Sequence, residues 1–154
     1  MPSFDASAEL GRLYSLEVDA AHAYCNAVAF AGGGPIQTEL RLFALEHQRH
    51  VLVLLETIVQ LGRVAPDAKP DVKGVLIGAL TPPRRPLGLE DVITGMRANE
   101  QLTNTVYAKA LLRPFPRGLR ELLEPLAHDE RHHLEWMERM VSRRIWETAS
   151  ASHP

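Results

Sequence analysis

Four residues in the first half of this chain return in the second half at one constant offset. Adding 83 to Glu17, Tyr24, His47 and His50 gives Glu100, Tyr107, Glu130 and His133. Three of these pairs are identical, and the fourth exchanges one metal-binding side chain for another. Self-similarity at a fixed offset is the signature of a repeated structural unit, so the two halves are expected to fold alike and to bring the same face to a common centre.

The residues around each member of the repeat name the unit. Leu10, Leu13, Glu17, Ala20, Tyr24 and Ala27 step by threes and fours, the spacing of one helix face, in a helix predicted over about 6 to 31. A second stripe, in a helix over about 36 to 62, runs through Leu40, Phe43, His47, His50, Leu54, Thr57 and Leu61, with Gly34-Pro35 ahead of it and Gly62 behind. Ile93, Met96, Glu100, Thr103, Tyr107 and Ala110 make a third, over about 89 to 112, which Pro114 and Pro116 end. The fourth, over about 117 to 147, carries Leu119, Leu123, Leu126, Glu130, His133, Met137 and Met140, followed by a polar tail expected to be disordered at its tip.

Connection lengths turn these four helices into a topology. Links of roughly four residues join the first to the second and the third to the fourth, which forces two antiparallel hairpins. Between the hairpins lies a proline-rich crossover, residues 63 to 88, with a short helix expected at Asp71 to Leu80. A helix of ~25 residues is ~38 Å long, and a link that returns along it has to be about this size. The expected fold is therefore all-α, a single domain over 1 to 154: a four-helix bundle of two hairpins, one long crossover and a pseudo-two-fold axis.

Composition narrows the function classes. With 45% apolar residues the chain can bury a single core, and 17 basic against 19 acidic residues give no electrostatic case for nucleic acid or an anionic membrane. Arg84-Arg85 is a small basic cluster. One cysteine, Cys25, cannot close an internal disulfide, and the first residues lack the pattern of a signal peptide, so a cytoplasmic location is expected. No apolar run approaches the ~20 residues that cross a bilayer.

Glutamates and histidines on apolar stripes are costly to bury unless they are paired or bound to a cation. Glu130 and His133 are three apart and so leave one helix turn in the same direction; His47 and His50 repeat that geometry. With Glu17 and Glu100 they supply six oxygen and nitrogen donors of the kind that suit iron, manganese or zinc. Taken singly, each histidine is better explained as a hydrogen-bonded group; the joint pattern favours a metal site. Tyr24 and Tyr107 read either as core residues or as hydroxyl donors to the ligand carboxylates. Cys25 reads as structural, His22, His128 and His132 as surface groups, and Trp136 and Trp146 as packing against the crossover or a partner.

The segments LEVDAAHAY, LEHQRHVLVL, NEQLTNTVY and DERHHLEWM together resemble the four ligand helices of the ferritin-like superfamily, above all its rubrerythrin-type members, with their order Glu, Glu-x-x-His, Glu, Glu-x-x-His. The resemblance covers most of residues 8 to 141 outside the crossover, and KGVLIGALTPP is similar to small bacterial members without assigned activity. It implies two divalent ions, iron foremost, with Glu17 and His50 on one, Glu100 and His133 on the other, and Glu130 bridging. It also implies an oxidase, peroxidase or hydroxylase using oxygen or peroxide; iron storage, or a structural bundle with a decayed site, are the alternatives. No Cys-x-x-Cys module is attached, so a redox enzyme of this kind needs a separate electron-donor protein.

His47 departs from that pattern, standing where it has a second bridging glutamate. One carboxylate fewer leaves one positive charge to be met by hydroxide, an anion, or the neighbours Glu46 and Asp129, which are also 83 apart but point about 100° off the stripes. The alternative motif Asp129-x-x-His132 has no counterpart in the first half, where Glu46 is followed by Arg49. The expectation is two unequal metal positions, with His47 adding a second imidazole on the His50 side. A homodimer burying part of residues 71 to 80 is expected from the apolar segment VLIGAL.

Overall fold

The computed structural model describes residues 3–67 and 88–150. Among these the chain is all-helical: α1 (Ala6–Phe30), α2 (Gly34–Gln60), α3 (Leu89–Leu111), α4 (Arg117–Ser142) and the short α5 (Ile145–Ser150). The expected helix at Asp71 to Leu80, the Arg84-Arg85 pair and the dimer surface on residues 71 to 80 lie outside the described residues.

Local chemistry sets the helix ends. Asp5 caps α1, its carboxylate accepting from the backbone N–H groups of Ser7 and Ala8. Gly32, Gly33 and Gly34 all have positive φ, a run open only to glycine, and it folds the chain back so that α2 starts with Pro35 in its first turn. The Asp91 carboxylate accepts from the Gly88 N–H at the start of α3. α4 runs through Pro125 and stops at Ser142, short of the expected 147. Arg144 then takes a left-handed conformation, φ 46°, which turns the chain so that Ile145 and Trp146 of α5 pack against the core.

α1 packs along α2 and α3 along α4, while α1 against α3 and α2 against α4 join the two hairpins. The stripe positions are buried in pairs 83 apart, among them Leu10 with Ile93, Leu13 with Met96, Leu40 with Leu123 and Leu54 with Met137. Leu61 and Leu119 depart from the stripes: Leu61 is exposed and Leu119 only partly buried.

The core is split lengthwise. One apolar cluster holds Tyr24, Phe43, Ile93 and Met137, near the end shared by the α1–α2 turn; the other holds Leu10, Leu54, Phe115 and Leu123 at the opposite end. On every long helix the glutamate and histidine positions fall between these clusters. Trp136 packs edge-on against Phe43, so it belongs to the chain's own core. Cys25, expected to be structural, is an exposed thiol with Gln48 beside it.

Candidate metal centre

Glu17 of α1, His47 and His50 of α2, Glu100 of α3, and Glu130 and His133 of α4 meet in that polar layer, and none is more than 1% exposed. They form two overlapping groups, Glu17–His47–His50–Glu130 and His47–Glu100–Glu130–His133. In each, one donor atom from every residue lies within 4.8 Å of the others. His47 and Glu130, the positions exchanged between the halves, are the members common to both.

Each Glu–His unit is steadied from the other hairpin. His133 donates through Nε2 to Glu46 of α2, and His50 through Nε2 to Asp129 of α4, at 3.1 Å. Glu46 and Asp129, which helix angle alone directs away from the stripes, thus reach the outer nitrogens of the histidines and leave Nδ1 facing the centre. Their shared offset of 83 was the sequence signal for this role. The tyrosines cross in the same way: the Tyr24 hydroxyl donates to Glu100, and the Tyr107 hydroxyl to Glu17. Of the two sequence readings of these tyrosines, buried core residue and carboxylate donor, both hold at once.

The orientation of His47 differs from expectation. Its Nδ1 is 2.7 Å from Glu17 Oε2 and donates to it. Its Nε2 has no hydrogen-bond partner and is directed to the other half, 3.4 Å from Glu100 Oε1. The ring is held there by stacking on Tyr24, centroids 4.8 Å apart. The extra imidazole nitrogen is therefore presented to the Glu100–His133 half and not to the His50 half, because Glu17 takes the nearer nitrogen's proton.

Without a metal the layer balances charge with protons. Burial opposes a positive charge on His47, but the carboxylates of Glu130 and Glu17 outweigh it and hold the imidazole well above the usual histidine range. Burial likewise opposes charge on His50, and the carboxylates of Glu130 and Glu17, 3.0 and 3.3 Å from its Nδ1, overcome it, raising the group to about 10. His133 is raised by the Glu130 carboxylate beside it against the same penalty. Burial pushes Glu100 up; burial opposes the charge of Glu130 too, but His47, His133 and His50 together outweigh it and pull that carboxyl far down. Burial first, then the carboxylate each one faces, keeps Tyr24 and Tyr107 protonated well beyond the ordinary phenol range.

The fit to a metal is tested by what the protein leaves unpaired. Among the described residues, the buried side-chain nitrogens and oxygens without a hydrogen-bond partner are His47 Nε2, Glu100 Oε2, both oxygens of Glu130, His133 Nδ1, and Arg97 Nε elsewhere on α3. All but one belong to the cluster. Native interiors rarely leave such atoms bare, and nitrogen and carboxylate donors converging on one point are what a divalent transition metal requires. No protein-family model, curated protein or solved structure matches this chain.

Proposed function

We propose that this chain is a ferritin-like four-helix metal protein whose buried cluster binds a divalent transition metal, iron foremost with manganese or zinc as substitutes, and reacts with oxygen or peroxide. The carrying observation is the set of unpaired, fully buried donors on His47, Glu100, Glu130 and His133, four ligand-type residues from three helices aimed at one volume. Glu17 and His50 complete the ring of residues able to hold metal. Bound iron or manganese would supply one-electron redox chemistry toward a small oxidant, and a separate protein would supply the electrons.

The chain's own residues define how that chemistry is contained. The apolar clusters above and below the polar layer exclude bulk water, which strengthens each carboxylate's hold on a cation. With all six side chains closed to solvent, the reagents that reach them are small, which favours oxygen or peroxide over a bulky organic substrate. Tyr24 and Tyr107 keep their hydroxyl protons and hold the Glu100 and Glu17 carboxylates in place. Glu46 fixes His133 with a proton on Nε2, so Nδ1, once it sheds its own proton, would offer a lone pair inward.

The test is anaerobic loading with ferrous ion, followed by addition of oxygen or hydrogen peroxide while oxidant consumption and the optical spectrum are recorded. The expected result is retained iron that is oxidised within the protein. Iron that binds but reacts with neither oxidant would overturn the redox assignment.

A further inference from the structure

We propose that the cluster is a one-metal centre, formed by His47 Nε2, Glu100, Glu130 and His133 Nδ1, whose other half is closed by its own hydrogen bonds. This rests on the metal-binding reading above and narrows it.

The two halves are matched in sequence and opposite in hydrogen bonding. In the first, Glu17 Oε2 accepts from His47 Nδ1, and Glu17 Oε1 accepts from Tyr107 and from His50 Nδ1 at 3.3 Å. His50 spends its other nitrogen on Asp129, at 3.1 Å, and its Nδ1 also lies 3.0 Å from Oε1 of Glu130, the carboxylate both halves share, whose Oε2 faces His133. No side-chain atom of Glu17 or His50 is left without a partner. A metal entering this half would have to break those bonds.

In the second half each of the two unpaired imidazole nitrogens is turned to the centre by a bond its ring makes elsewhere, and becomes a metal donor by shedding its proton. His47 donates from Nδ1 to Glu17, which leaves Nε2 bare; His133 donates from Nε2 to Glu46, which leaves Nδ1 bare. The gaps agree. His47 Nε2 lies 3.4 Å from Glu100 Oε1, and His133 Nδ1 lies 3.7 Å from Glu100 Oε1 and 3.6 Å from Glu130 Oε2. His133 Nδ1 is beyond hydrogen-bond reach of both carboxylates. Two donors each ~2.1 Å from one ion stand roughly 3 to 3.5 Å apart, so these spacings leave room for a cation with little movement.

Charge points the same way. Two carboxylates and two neutral imidazoles balance one divalent ion, which removes the deficit that a two-metal centre with three glutamates carries. His47 is then a device for choosing a half: it closes the Glu17 side with a hydrogen bond and completes the Glu100 side with a nitrogen. The donor set, two nitrogens and two carboxylates, suits zinc, iron, cobalt or manganese.

The experiment is calorimetric titration of the metal-stripped full chain with Zn2+ and with Mn2+, beside Glu100→Gln, His133→Ala and His50→Gln, with the spectrum of bound Mn2+ recorded by electron paramagnetic resonance. The expected result is one equivalent per chain with the signal of an isolated ion. Affinity should fall by about 100-fold or more in Glu100→Gln and His133→Ala, beyond the loss typical of a supporting residue, and by less than about tenfold in His50→Gln. Two equivalents, or the signal of a coupled ion pair, would overturn the one-metal assignment while leaving metal binding intact. One equivalent lost in His50→Gln but kept in His133→Ala would place the ion in the wrong half. No binding by the unaltered chain would overturn the metal reading itself. The spectrum of the unaltered chain decides the matter even if a variant fails to fold.

Discussion

Tyr24 on α1 donates its hydroxyl to Glu100 on α3, across the join between the two hairpins, and its partner 83 residues on, Tyr107, returns the bond to Glu17. These crossed bonds tie each half of the repeat to the carboxylate of the other. Tyr24→Phe should cost about 1–3 kcal/mol, since it removes a donor from a buried carboxylate and leaves that oxygen unpaired. Tyr107→Phe should cost a similar amount. Denaturant unfolding of the metal-free proteins checks both, and a change under about 0.5 kcal/mol would show that the hydroxyls carry no load.

The pH dependence of the metal-free protein follows from the three raised histidines. A group whose folded pKa lies above its unfolded value stabilises fully below the unfolded pKa and loses that contribution as pH rises through the folded one. For His50 the window runs from the ordinary value 6.5 to about 10, and His47 and His133 shift in the same direction. Thermal unfolding without metal should therefore show falling stability from about pH 6.5 upward. Added metal should reverse the trend, because ligand histidines must shed their protons and affinity rises with pH. Metal-free stability that is flat across this range would contradict the charge assignment.

Glu46 and Asp129 make equivalent contacts from opposite hairpins, yet a one-metal centre makes them unequal. Glu46→Gln loosens the histidine that ligates and should weaken metal binding by about 10- to 100-fold. Asp129→Asn acts on His50, which does not ligate in that account, and should weaken it far less. Calorimetry on both variants distinguishes the two cases.

Much of this was legible in the sequence because burial in a helical protein is periodic. The positions from Leu10 to Ala27 and from Ile93 to Ala110 are buried as their spacing implied, and the six Glu and His positions converge because they share those faces. Side-chain direction was not legible. His47 can offer either nitrogen, and only its hydrogen bond to Glu17 decides which one is free. Glu46 and Asp129 lie off the stripes by helix angle, and it is side-chain rotamer across the helix pair, which spacing does not fix, that carries their oxygens to the histidines. The break between α4 and α5 was hidden because no glycine or proline marks it; Arg144 takes the strained conformation itself.

That strain gives a further test. A residue other than glycine at φ 46° carries a penalty of roughly 1 kcal/mol. The ion pair of Arg144 with Glu147 is exposed and contributes little. Arg144→Gly should be neutral to stabilising by up to about 1 kcal/mol. Denaturant unfolding would contradict this if the variant lost more than about 1 kcal/mol.

The polar layer between the two apolar clusters is proposed to hold a metal. The most direct measurement is the metal content of the chain, purified without chelator, incubated with Fe2+, Mn2+ or Zn2+ and then desalted. Metal should be retained in stoichiometric amount and lost in Glu130→Gln, a carboxylate that belongs to both groups of donors. A well-folded chain that retains none of the three ions would contradict it, and would leave the glutamates and histidines as a self-neutralising polar core.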